Sequence, residues 1–339
     1  MKTLRIIALL LAVLLCSTLA ACGGGNTPAQ SSATEAANSP ASAADAETNA
    51  EGGYKVAFIC KSFADTFCLN VMNEVQKLEG DYAGLFTVEY FDSEMNAEKQ
   101  NTLIETCATN GFDAIIFQQV DAEAPVEVVK KAVEQGVFVV VTTGHIEDDG
   151  ISWYVDADPY QQGAVVASYA IENGYCDDAN VAILRGPAGN FHADQRFAAF
   201  EDALNAKDGA TIVASEIADW SKDKGMTITQ NWLVGISDLD VIFAANDDMG
   251  LGAVEAIMMA GREDEIKVFS IDGTEYGCEA VSEGTLMATV QQDAVGYAQK
   301  SLEIAAKLLR GENAESLNID STLVTPENVD AFLAIYAAG

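Results

Sequence analysis

The chain has 339 residues, 49% of them hydrophobic, and a formal net charge of −34 at pH 7. So acidic a chain argues against nucleic acid and anionic lipid headgroups as electrostatic partners, and is read as a solubilising surface that names no ligand. Two histidines in all exclude a histidine-based metal cluster, and no Gly-x-Gly-x-x-Gly, P-loop or Gly-x-Ser-x-Gly marks a cofactor site or nucleophile.

Lys2 and Arg5 precede an apolar run, Ile6 to Leu15, that is too short to span a bilayer as a helix. Small residues follow, and Leu19-Ala20-Ala21-Cys22 resembles the lipobox of bacterial lipoproteins. The resemblance implies that residues 1–21 are a lipoprotein signal peptide and that Cys22 is lipidated. Residues 22–53 are dominated by Gly, Ala, Ser, Thr, Asn and Pro, with no aromatic and no large aliphatic residue. They cannot bury enough apolar surface to offset their ordering entropy and are expected to form a disordered tether. One acyl chain anchors weakly, so stable attachment needs several.

The rest alternates short apolar runs with amphipathic stretches. Val56 to Ile59 reads as a buried strand, and Phe67, Val71, Val75 and Leu78 recur at helical spacing. Val88 to Phe91 is a strand, followed by a helix carrying Leu103, Ile104 and Cys107. Ala114 to Phe117 is a strand, Val126, Val129 and Val133 mark a helix, and Val137 to Val141 is a strand. Pro159 suits the first turn of a helix. Strands then read at Val181 to Leu184, Thr211 to Val213, Val241 to Phe243, Val268 to Ile271 and Leu286 to Val290. Helices between them carry Phe197, Phe200 and Leu204, end near Trp232, and run to Gly261. This order predicts parallel sheets covered by helices, long enough for two lobes of about 130–150 residues each.

The strands end in polar residues: Lys61-Ser62, Asp92-Ser93, Gln118-Gln119, Thr142-Thr143, Arg185-Gly186, Asn246-Asp247, Asp272-Gly273 and Gln291-Gln292. Ligands of open α/β sheets bind beyond the carboxyl ends of the strands, so two facing sheets would make a polar cleft. His145 and His192 follow strands closely and fit either the cleft wall or a plain loop. Of seven cysteines, Cys16 leaves with the signal and Cys22 carries lipid. Cys60, Cys68, Cys107, Cys176 and Cys278 read as buried small hydrophobes, with a Cys60–Cys68 bridge left open.

Phe63-Ala64-Asp65-Thr66-Phe67 is similar to the opening segment of periplasmic sugar-binding proteins of the ribose and glucose/galactose type. Ala244 to Ala253 resembles their Asn-Asp-x-Met-x-x-Gly-Ala segment, Phe269 to Gly273 their strand ending in Asp-Gly, and Ala288 to Gln292 their Ala-Thr-x-x-Gln. Arg196 and Trp220 match a ligand-binding arginine and a stacking aromatic. The resemblance covers Tyr54 to about Thr325. It implies a type I periplasmic-binding fold, in which two doubly wound parallel-sheet lobes are joined by a three-segment hinge. The lobes are expected over 54–157 plus 294–320 and over 158–293 plus 321–339.

The resemblance implies capture of a sugar or related polyhydroxyl ligand. Asp65 and Asp272 accept from hydroxyls, Arg196 donates in a planar fork, and Gln118, Asn246 and Gln292 do both. Phe67 and Trp220 cover C–H faces, although Phe67 also fits a core position. Where the family often has an Asp-Arg pair, this chain has Thr142-Thr143-Gly144, so Thr143 stands without a charged clamp and the second lobe is expected to hold the stronger half of the site. The expected role is that of a monomeric, exported, lipid-anchored binding protein with no cofactor, delivering to an ABC transporter permease. The alternative is a receptor subunit docking on a sensor kinase or chemoreceptor, and an enzyme is not expected.

Overall fold

The computed structural model describes residues 53–338. The expected signal peptide, the expected lipidation site Cys22 and all of the expected tether except Gly53 lie outside them.

The first sheet is wholly parallel. It holds β1 (Tyr54–Cys60), β2 (Phe86–Asp92), β3 (Ala114–Gln118), β4 (Phe138–Thr142), β5 (Trp153–Asp156) and β11 (Leu317–Asn318), in the order β11-β5-β4-β3-β1-β2. Its central strands are apolar on both faces, and the two-residue period of a strand sends alternate side chains to opposite layers. Val56, Phe58 and Cys60 join one core with α1 (Thr66–Leu78) and α9 (Ala294–Leu309). Ala57 and Ile59 join the other with α2 (Ala97–Thr109) and α3 (Val126–Glu134).

The second sheet repeats this plan. β6 (Asn180–Arg185), β7 (Thr211–Ile217), β8 (Val241–Ala244) and β9 (Lys267–Phe269) lie in the order β7-β6-β8-β9, all parallel. Single bridges extend it to the stretch leading into β10 (Thr289–Gln291), which pairs antiparallel with β12 (Thr322–Val324). Its helices are α4 (Pro159–Glu172), α5 (Phe191–Asn205), α6 (Lys222–Gly235), α7 (Asp247–Ala260), α8 (Glu275–Glu283) and α10 (Val329–Ala338). One apolar cluster unites this lobe. α6 and α7 pack backbone to backbone at Gly252, where a Cβ would come 2.2 Å from the Lys222 carbonyl oxygen.

The chain passes between the sheets three times: between β5 and α4, β10 and α9, and β11 and β12. Three strands went unread. β5, β11 and β12 have four, two and three residues, too short for alternation to show. The strand expected over Leu286–Val290 starts only at Thr289. Leu286 to Ala288 run beside β9 without regular pairing, although Met287 N–H donates to the Val268 carbonyl and Ser270 N–H to that of Ala288. The five cysteines among the described residues are free and buried, so Cys60 and Cys68 are not bridged. No helix among the described residues is long and apolar enough to cross a membrane.

Candidate functional site

In both sheets the strand that starts the lobe sits inside, with its successors on either side, so the connections leave to opposite faces at β1/β3 and at β6/β8. Such a switch point opens a crevice at the carboxyl ends of the strands. The two crevices face each other across a shared cavity. The lobes touch across it: Thr66 Oγ1 donates to Asp248 Oδ1 at 3.0 Å, and Ala122 N–H donates to the Gly189 carbonyl at 3.2 Å.

Eight of the nine expected ligand residues line this cavity: Asp65, Phe67 and Thr143 from the first lobe, and Arg196, Trp220, Asn246, Asp272 and Gln292 from the second lobe and its crossing. Gln118 does not. It is fully buried behind the wall, where its Oε1 accepts from Lys61 N–H at 3.2 Å and its Nε2 donates to the Cys68 carbonyl at 3.2 Å. As the last residue of β3 it is still paired with β4, and its amide is turned into the lobe by these two bonds.

The cavity also takes in Lys61, Cys68, Asn190 and His192. Lys61 corrects the expectation of a first lobe poor in charge, because its Nζ lies 3.0 Å from Oδ2 of the buried Asp65 and its own side chain is largely covered. Its signal was its place at the end of β1. Asn190 and His192 open α5 after the Gly186–Gly189 turn, as Asp65 and Asn246 open α1 and α7. All but His192 are N-caps: Asp65 accepts from Cys68 N–H, Asn190 from Ala193 N–H and Asn246 from Met249 N–H. Capping thus fixes three polar side chains at the rim of the crevice. Cys68 has no signal of its own beyond following this cap.

Charges alternate around the cavity. Burial by itself would raise the Asp65 carboxyl, but the Lys61 ammonium and the Cys68 amide hold it below the ordinary range. Burial pushes Asp272 well above that range, and Arg196 Nη1, 3.6 Å from its Oδ1, offsets only part of this. Gln292 Nε2 donates to the same oxygen at 2.6 Å and leaves its own buried Oε1 without a protein partner. Arg196 is held from behind. Its Nε and Nη2 donate to Gln162 Oε1 at 3.1 and 2.8 Å and its Nη1 to the Ala245 carbonyl at 2.7 Å.

Trp220 packs between the two cations, its ring 5.2 Å from Lys61 Nζ and 5.8 Å from the Arg196 guanidinium carbon. Its indole Nε1 is buried with no protein partner. The ring lies on Gly186, where a Cβ would come 2.4 Å from it. Thr143, Trp220 and Asp272 all have positive φ, at 58°, 59° and 139°. Non-glycine residues adopt that region rarely, and such strain concentrates at ligand clamps. Phe67 is core and wall at once, 7% exposed and edge-on to Tyr297.

In the Asn246-Asp247-Asp248 stretch each residue has a separate task. Asn246 faces the cavity, and Asp248 reaches Thr66 across the cleft. Asp247 is fully buried and ties α7 to three neighbours, accepting from Ser270 Oγ at 2.6 Å, Thr289 Oγ1 at 2.7 Å and the Thr274 amide at 2.8 Å.

A family model described as a periplasmic binding protein domain matches residues 56–313. The D-ribose/D-allose-binding protein of Pseudomonas aeruginosa is 29% identical over 295 residues, 85% of this chain and 91% of that protein. The ribose import binding protein of Escherichia coli is 28% identical over 273 residues, 80% and 90% of the two chains. An ABC transporter solute binding protein from Bacillus halodurans, solved with bound myo-inositol, superposes with a TM-score of 0.80 at 26% identity, covering 85% of this chain and 99% of that one. The Caulobacter myo-inositol binding protein bound to myo-inositol gives 0.79 at 25% identity, covering 84% and 97%. This chain belongs to the periplasmic binding protein domain family.

Proposed function

We propose that this periplasmic binding protein captures a neutral monosaccharide or cyclic polyol between its lobes and delivers it to the permease of an ABC importer. The observation that carries the reading is the convergence of two carboxylates, two cations and an indole face on one cavity between the lobes. Hydroxyls donate to Asp65 and Asp272 and accept from Lys61, while Trp220 covers a C–H face. The named sugars and inositol of the relatives are of this chemistry.

The lobes, taken as 54–157 plus 294–320 and 158–293 plus 321–339, open and close about the three crossings, and ligand favours the closed state because only there do both half-sites touch it. The protein acts as a monomer and performs no turnover. A thermal-shift panel of D-ribose, D-allose and myo-inositol tests this: at 100 times its dissociation constant a true ligand stabilises the fold by about 2.7 kcal/mol. Stabilisation by amino acids and by none of these three would overturn the reading.

The anchor belongs to the same proposal. The lipobox-like stretch supports lipidation at Cys22. Cys22→Ala should move the protein from the membrane fraction to the soluble one, and a variant that stays membrane-bound after cleavage would show another anchor.

A further inference from the structure

His192 lies between an acceptor and a donor. Its Nε2 is 2.6 Å from Asp156 Oδ1, and its Nδ1 is 3.5 Å from Arg196 Nη2. A carboxylate only accepts and a guanidinium only donates, so the two neighbours together fix the neutral tautomer with the proton on Nε2. Asp156 is itself fixed. It ends β5 at the first crossing, is 1% exposed, accepts from His145 Nδ1 at 2.9 Å and from Ala157 N–H at 2.8 Å, and its carbonyl accepts from Ile319 N–H at the third crossing.

From this geometry we infer that Asp156 sets His192 as a hydrogen-bond acceptor facing the cavity, and that His192 with Arg196 reads one ligand hydroxyl, which donates to Nδ1 and accepts from Nη2. The inference rests on the polyhydroxyl reading above and sharpens it: at that position the site takes a hydroxyl and rejects a carboxylate, a carbonyl or a bare C–H. Arg196 supports it. The short bonds of its fork go to the scaffold, to Gln162 and Ala245, while its two long contacts, 3.5 Å to His192 and 3.6 Å to Asp272, go to cavity residues. A hydroxyl seated between Arg196 and His192 would replace the long contact with two short ones. A carboxylate there would set lone pairs against the Nδ1 lone pair. Burial, with Arg196 and Lys61 on the cavity side, lowers the basicity of His192, and the charge of Asp156 opposes this in part. Asp156 stays ionised despite its burial, because His192 and His145 hold its carboxyl well below the ordinary range.

Asp156 is a positioning residue, and three variants separate that role from simple bracing of the lobes. Asparagine at 192 puts an acceptor near the place of Nδ1 and drops the Asp156 contact; glutamine reaches Asp156 and drops the Nδ1 acceptor; alanine drops both. The probes are D-ribose with its 2-, 3- and 5-deoxy analogues and myo-inositol with its monodeoxy analogues, titrated by calorimetry. Wild type should lose affinity for one deoxy analogue of the bound probe about three- to tenfold through this contact. His192→Ala should bind the parent about three- to tenfold more weakly and no longer distinguish it from that analogue. His192→Asn should restore the distinction and His192→Gln should not. Restoration by glutamine and not by asparagine would reduce His192 to a brace between the lobes and overturn the inference, as would unchanged discrimination in His192→Ala. Failure of every parent probe to bind wild type would instead remove the polyhydroxyl reading, and the inference with it.

Discussion

Asp272→Ala is expected to weaken ligand binding by about ten- to a hundredfold, the equivalent of the roughly 1.5–3 kcal/mol that a hydrogen bond to a charged group contributes. The carboxylate is the acceptor of its half-site and also orders its surroundings: Gln292 Nε2 donates to it at 2.6 Å, and Arg196 lies 3.6 Å away. Without it the Gln292 amide is free to turn and the guanidinium loses its counter-charge. Arg196 itself should stay in place, because Gln162 and the Ala245 carbonyl hold it. Gln118→Ala should cost less, since Gln118 acts only through the Lys61 and Cys68 backbone. Calorimetry with the identified ligand compares the two variants, and a larger loss for Gln118→Ala would reverse the ranking.

The same residue sets a pH dependence whose sign can be stated. Burial raises the Asp272 carboxyl, so on acidification it protonates before an ordinary carboxylate does, and it loses its charge while one of its oxygens turns from acceptor to donor. Asp65 is shifted the other way and stays ionised. Affinity should therefore start to fall above the ordinary carboxylate range of about 4, and Asp272→Asn should flatten that part of the profile. A profile unchanged in Asp272→Asn would assign the titration to another group.

Trp220→Ala should lose both binding and stability. Besides lining the cavity, Trp220 is 5% exposed and belongs to the apolar cluster of the second lobe. Removing a buried tryptophan costs about 3–5 kcal/mol, so urea or thermal melts should show a large loss alongside the weaker affinity. Trp220→Phe separates the two effects by keeping an apolar wall over Gly186. It should also abolish any ligand-induced change in tryptophan fluorescence. The chain has three tryptophans, and the other two donate their indole N–H elsewhere, Trp153 to the Ala314 carbonyl and Trp232 to Glu216. A fluorescence response that survives in Trp220→Phe would place the ligand near one of those instead.

Most strands and helices were legible because their residues obey local rules. Val56 to Ile59 is apolar without a break because a strand inside a parallel sheet is covered on both faces, and Phe67, Val71 and Val75 repeat at the helical period because one side of α1 meets the core. The two-residue β11 and three-residue β12 leave no such trace, since they are strands only by pairing with β5 and β10.

The sequence by itself determined the alternation of strand and helix, and with it the polar residues gathered at the carboxyl ends of the strands. Those are properties of short segments, set by side-chain period and by capping. Only the tertiary structure decided which of those residues share a cavity. It turned Gln118 inward to brace the Lys61 loop, placed Lys61 against Asp65, and set His192 on Asp156, 36 residues away along the chain. Hydrogen bonds and ion pairs of that kind depend on where two sheets bring their ends together in space, and no local pattern records that distance.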